Sequence, residues 1–105
     1  MEEMIYAFED TVVRLDRAVI EVFRRLVTGS QRTPLIWAGA DVQLLGPGGQ
    51  IKVTIGARGS DGFYNTEITR NGAVTFTVPP SEEPRLRLFL DEAQARAHQP
   101  AASGT

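Results

Sequence analysis

Between Pro34 and Val78 several segments set apolar side chains at every second position, with short turns between them. The cleanest segment sets Ile51, Val53, Ile55 and Ala57 against Lys52, Thr54 and Arg58. A period of two predicts a strand with one face buried. Gly46-Pro47-Gly48-Gly49 precedes it as a turn, and Gly59-Ser60-Asp61-Gly62 follows as another. Phe63 to Thr69 is then predicted as a strand with Tyr64, Thr66 and Ile68 inward. Asn71-Gly72 predicts a hairpin turn, because both residues tolerate the positive φ of a type I′ turn. Val74, Phe76 and Val78 resume the alternation until Pro79-Pro80 ends it. Successive hairpins of this kind make an antiparallel meander, buried on one face and wet on the other.

Upstream, Pro34-Leu35-Ile36-Trp37 is predicted to open a strand, and the slip in alternation at Ala38-Gly39-Ala40 predicts a bulge or bend. Met4–Phe8 and Thr11–Leu15 flank Glu9-Asp10, as two short strands around an acidic turn or one longer bent strand. Val19, Ile20, Phe23, Leu26 and Val27 recur at helical spacing, with Asp16 placed as N-cap and Gly29 as C-cap. That spacing predicts a helix over Asp16–Thr28, followed by a polar loop from Gly29 to Thr33. The carboxy-terminal helix starts at a Ser81 cap and carries the stripe Leu86, Phe89, Leu90, Ala93 and Ala97. Arg87–Asp91 and Glu92–Arg96 stand four apart on its outer side. From Gln99 the chain turns to Pro, Ala, Ser and Gly, which predicts a single domain over residues 1–98 and a disordered tail over 99–105. These elements predict an α+β fold: a strongly curved antiparallel meander, or partly open barrel, capped by the last helix, with an additional helix in the first half.

The net charge of −2 and the pI of about 5.3 argue against nucleic acid, whose binders draw most of their affinity from basic residues. The chain has no cysteine, which excludes disulfides, thiolate nucleophiles and zinc–sulfur sites. That absence in so small a domain points to a reducing cytoplasm. The acidic start Met1-Glu2-Glu3-Met4 is unlike a signal peptide, and no apolar stretch approaches the roughly 20 residues of a membrane span.

Catalytic chemistry finds little purchase. His98, the sole histidine, stands before Pro100 at a helix end, where solvation is the plain reading. Gly46-Pro47-Gly48-Gly49 leads into a strand, whereas a phosphate loop leads into a helix. Asp41 and Asp61 have no spacing that pairs them. Trp37 and Tyr64 are candidate partner anchors, with core packing as the heavier reading. Arg58, at a strand end, is a candidate anion contact, with solvation as the simpler account. No cofactor or metal is expected, and no enzyme.

The stretch from Pro34 to Ala97 resembles bacterial pleckstrin-homology-like domains, through Pro34-Leu35-Ile36-Trp37, the alternating Ile51–Ala57, the Asn71-Gly72 hairpin and the helix after Pro79-Pro80. The resemblance implies seven strands and a closing helix, from which the helix over Asp16–Thr28 departs. It also suggests lipid headgroup binding, but that needs clustered basic residues, and Lys52 is the only lysine. The favoured reading is therefore a non-catalytic interaction or regulatory module that binds a protein, a second copy of itself included, and neither phosphoinositides nor membranes. A ligand binder or enzyme using the concave face of the sheet is the alternative.

Overall fold

A computed structural model describes residues 3–24, 30–46, 49–58, 62–64, 68 and 73–97. Strands β1 (Met4–Phe8), β2 (Thr11–Asp16), β3 (Val19–Arg24) and β4 (Ser30–Pro34) form one antiparallel sheet in chain order. A short 3-10 turn, Leu35–Trp37, leads to a second antiparallel sheet of β5 (Ala38–Leu44), β6 (Ile51–Ala57) and β7 (Val74–Val78). Helix α1 (Glu83–Ala97) closes the order after a 3-10 turn at Pro80–Glu82, which contains Ser81. The fold is α+β, with two separate sheets that do not close into a barrel.

The helix predicted over Asp16–Thr28 is not present over its described part. Val19–Arg24 is β3, paired with β2 on one side and β4 on the other. Asp16 is the last residue of β2, opposite Val19, and Arg17-Ala18 forms the two-residue loop between them. The burial pattern explains the difference. Ile20 and Val22 are buried and Phe23 is exposed, a period of two in which Val22, absent from the helical stripe, is a core residue. Val19, Ile20 and Val22 are β-branched, which favours a pleated surface. The loop carries none of the usual turn residues, yet Arg17 holds a φ of 56° and Glu9, in the β1–β2 turn, one of 51°. Positive φ is uncommon outside glycine, so neither turn announces its backbone. The two strands predicted around Glu9-Asp10 are present as β1 and β2. The predicted polar loop is, from Ser30, the edge strand β4.

β5 pairs with β6 without a break from Ala38↔Ala57 to Leu44↔Ile51, so the predicted bulge is absent. The apparent slip arises because Leu35–Trp37 lies outside the strand. The next turn has Gly46 at a φ of 72°, and the Leu45 N–H donates to the Gln50 carbonyl at 2.9 Å. Of the segment predicted as a strand over Phe63–Thr69, Phe63, Tyr64 and Ile68 are described. Tyr64 bridges Ala40 and Ile68 bridges Arg58, each as an isolated pair. The deeply buried residue is Phe63, and Tyr64 packs on the flank of the core. Asn71-Gly72, and the tail from His98 onward, lie outside the described residues.

Gly56, on the outer face of β6, is crossed closely by later chain. A Cβ there would stand 2.9 Å from Ile68 Cγ2 and 3.1 Å from both Cα and Cβ of Ala73. Backbone cannot yield as a side-chain tip can, so Gly56→Ala should cost about 1–3 kcal/mol through overpacking. Equilibrium urea unfolding checks this, and an unchanged midpoint would contradict the close crossing.

One apolar cluster joins both sheets and the helix. Val13, Leu15, Ile20 and Val22 come from the first sheet, Val53, Ile55, Phe76 and Val78 from the second, and Leu86, Phe89, Leu90, Ala93 and Ala97 from α1. The predicted stripe of the last helix is thus the buried one. On β1 the buried Tyr6 ring lies 6.2 Å from Phe89, and its hydroxyl donates to Glu82 at 3.1 Å. Arg85 stacks over that ring at 4.4 Å and donates to the Ala7 carbonyl at 2.7 Å, tying the helix start to β1. Desolvation first, and then the bond to Glu82, pushes the Tyr6 hydroxyl up to about 12. A folded value above the unfolded one makes the stabilisation complete below pH ~10 and lost as pH climbs towards 12. Alkaline unfolding followed by circular dichroism should fall through that window, less steeply in Tyr6→Phe.

Candidate functional site

The surface that stands out is the turn between the two sheets. Pro34 ends β4, and its fixed φ of −59° suits an entry to a turn. Leu35 turns inward and is buried, and its N–H donates to the Ala18 carbonyl at 2.7 Å, which anchors the turn to the β2–β3 loop. The next two residues point out. Ile36 is 52% exposed and Trp37 61% exposed. Core packing, the heavier reading for Trp37 in the sequence, is therefore not its role. The strand predicted to start at Pro34 starts at Ala38, and the aromatic falls on the turn instead.

Arg58, immediately after β6, holds this turn at two points. Its main-chain N–H donates to the Trp37 carbonyl at 2.8 Å, and its Nη2 donates to the Ile36 carbonyl at 2.9 Å. The guanidinium is thus engaged by main chain, and its Nη1 is shielded from water. Charge-assisted bonds of this kind are among the stronger ones. Arg58, the candidate anion contact of the sequence, thus braces the turn through both of these bonds.

Tyr64 does not join this pair. Its hydroxyl donates to Asp91 on α1 at 2.6 Å, Arg87 lies over its ring at 5.3 Å, and its edge meets Phe63 at 5.3 Å. Burial, followed by the bond to Asp91, holds the hydroxyl above the ordinary phenol range. This side chain locks the segment beside β5 to the helix. Of the Arg87–Asp91 and Glu92–Arg96 pairs predicted along α1, the second forms, at 2.8 Å. Arg87 pairs instead with Glu83 at 3.6 Å, and Asp91 serves Tyr64. Asp41 accepts from Gln43 at 2.8 Å, a local strand contact. Asp61 and His98 lie outside the described residues.

The site thus consists of Ile36 and Trp37, fixed by Arg58 and Leu35. The exposure of Ile36 was missed in the sequence because its apolar character reads as core. The signal available was Pro34 followed by the small residues Ala38-Gly39-Ala40, where a change of element replaces a bulge. The arrangement offers apolar area and an indole N–H donor, the chemistry of a contact surface. Among the described residues no three His, Asp or Glu side chains gather as metal ligands, and no helix is long and apolar enough to cross a membrane. Comparison with models of known protein families, with curated proteins and with solved structures finds no match to this chain.

Proposed function

We propose that this chain is a pleckstrin-homology-like interaction module whose partner-binding surface is the Ile36–Trp37 turn. A four-stranded and a three-stranded antiparallel sheet followed by a single closing helix support the fold reading. The replacement of the expected first helix by β3 removes the feature that departed from that family. The observation that carries the functional reading is the outward projection of Ile36 and Trp37 from a turn fixed at both carbonyls by Arg58. Tryptophan is the residue most enriched among interface hot spots, and a preset conformation spares the ordering cost of binding. The inward positions of both sheets are filled by core side chains, which favours a surface contact over a ligand in the concave face.

A photo-crosslinking residue in place of Ile36 tests this in an extract of the producing cells. A discrete protein adduct is expected, lost on adding Trp37→Ala and absent when the probe replaces Thr54 on the outer face of β6. No discrete adduct from position 36, or one insensitive to Trp37→Ala, would contradict the reading.

Phosphoinositide binding is not expected of this module. Arg58, the best cation for a headgroup near this turn, already serves the Ile36 carbonyl, and the chain is net acidic. Each basic residue near a membrane contributes only about 1 kcal/mol, so a headgroup site needs several together. Liposome sedimentation at about 0.15 M salt should show no difference with and without phosphoinositides. Micromolar binding abolished by Arg58→Ala would make lipid the ligand.

A further inference from the structure

We infer that the outer edge of β7 takes up an extended segment of a partner protein as an added strand, with a basic side chain of that segment against Glu9 and Asp10. The inference rests on the reading of the chain as an interaction module but uses a different surface. Among the described residues β7 is the last strand of its sheet, Val-Thr-Phe-Thr-Val, without charge or proline. The hydroxyls of Thr54 and Thr75 approach to 3.1 Å across β6 and β7. The Ala40 N–H donates to Phe63, away from β6, so Ala40↔Ile55 is a pair whose main-chain groups do not bond each other, and by alternation across β6 so is Thr54↔Thr75. The Thr75 N–H and C=O therefore face away from β6, and by alternation so do those of Thr77.

Arg24 of β3 confirms the direction, since its Nη1 donates to the Thr75 carbonyl from the other sheet at 3.0 Å. One half-buried guanidinium thus occupies a place that a strand would fill with main chain. An open cleft of about 520 Å³ runs along this edge, lined by Phe8, Glu9, Asp10, Arg24, Phe76 and Thr77 among others. Among the described residues two carboxylates stand there against one arginine, and Arg24 lies 3.9 Å from Asp10. Arg24 offsets one of these carboxylates, which leaves the other to a cation of the incoming strand. Edge main chain supplies affinity in strand addition, and the flanking charges select the segment.

The test uses an acetylated hexapeptide of alternating threonine and valine with one lysine, titrated into the full chain and followed by amide NMR. The Thr75 and Thr77 amides are expected to shift and to gain protection from hydrogen exchange. Thr77→Pro removes an outward N–H that β6 does not use, so the domain keeps its fold while binding weakens about tenfold or more, the order of one lost hydrogen bond left unpaired. N-methylation of the peptide's edge-facing amides, or glutamate for its lysine, is expected to weaken binding likewise, and Trp37→Ala to leave it unchanged. Shifts confined to Trp37, or binding indifferent to Thr77→Pro in a folded variant, would overturn the inference while leaving the turn as the binding surface. Protection of Thr77 that grows with protein concentration, without peptide, would also overturn it, with a second copy as the occupant.

Discussion

Phe89→Ala is expected to remove about 3–5 kcal/mol of stability, the usual cost of an aromatic deleted from a packed core. Phe89 is 3% exposed, meets the Tyr6 ring, and lies on the stripe that joins α1 to both sheets. The residues at its sides are held by Arg85 and Glu82, so the helix cannot readily slide to fill the space. A total stability of roughly 5–15 kcal/mol makes this loss a large part of the whole. Leu88, one residue earlier and 70% exposed, is the control, and Leu88→Ala should change stability by no more than about 0.5 kcal/mol. Urea unfolding of the two variants measures the difference, and comparable losses would mean that α1 packs through another face.

Val22→Asp should be more damaging still. Val22 is 3% exposed in β3, opposite Val13 on one side and Gln31 on the other. A carboxylate there is buried without a cation, a change that belongs to the class costing more than about 4 kcal/mol. The variant should be largely unfolded by circular dichroism. Phe23→Ser, at a side chain 36% exposed, should keep a cooperative transition with a cost of about 1 kcal/mol. A helix over this segment would reverse the order, because Phe23 lies on its apolar stripe and Val22 does not.

Where alternation and glycine-bearing turns coincide, as at β6, or where a stripe holds for about three turns, as in α1, local pattern and tertiary packing agree, and both elements were legible in the residues. β3 was not, because Val19, Ile20 and Phe23 fall at helical spacing, whereas the period of two that the fold uses sets Ile20 and Val22 on one face and Val19 and Phe23 on the other. Burial of Val22 decides between them, and it comes from the core shared with the second sheet and α1, distant partners that periodicity cannot see. The turn at Arg17-Ala18 was hidden for a related reason, since the loop conformation is imposed by the two strands it joins. Trp37 was legible as a residue to watch but not as an exposed one. Its exposure depends on Arg58, twenty-one residues later, meeting the carbonyls of Ile36 and Trp37. No local rule couples those positions. Edge strand β7 was legible as a strand, but which of its main-chain groups face outward follows from the register across β5, β6 and β7 and from Arg24.

The central claim is that Ile36 and Trp37 are held ready outside the core rather than left to fluctuate there. Backbone order parameters from ¹⁵N relaxation at these two amides, in the native chain and in Arg58→Ala, test it most directly. Values of about 0.85 in the native chain, as in rigid backbone, with a clear fall in Arg58→Ala, are the predicted result. Native values below about 0.6 would contradict the account, because a turn that mobile is not preset for a partner.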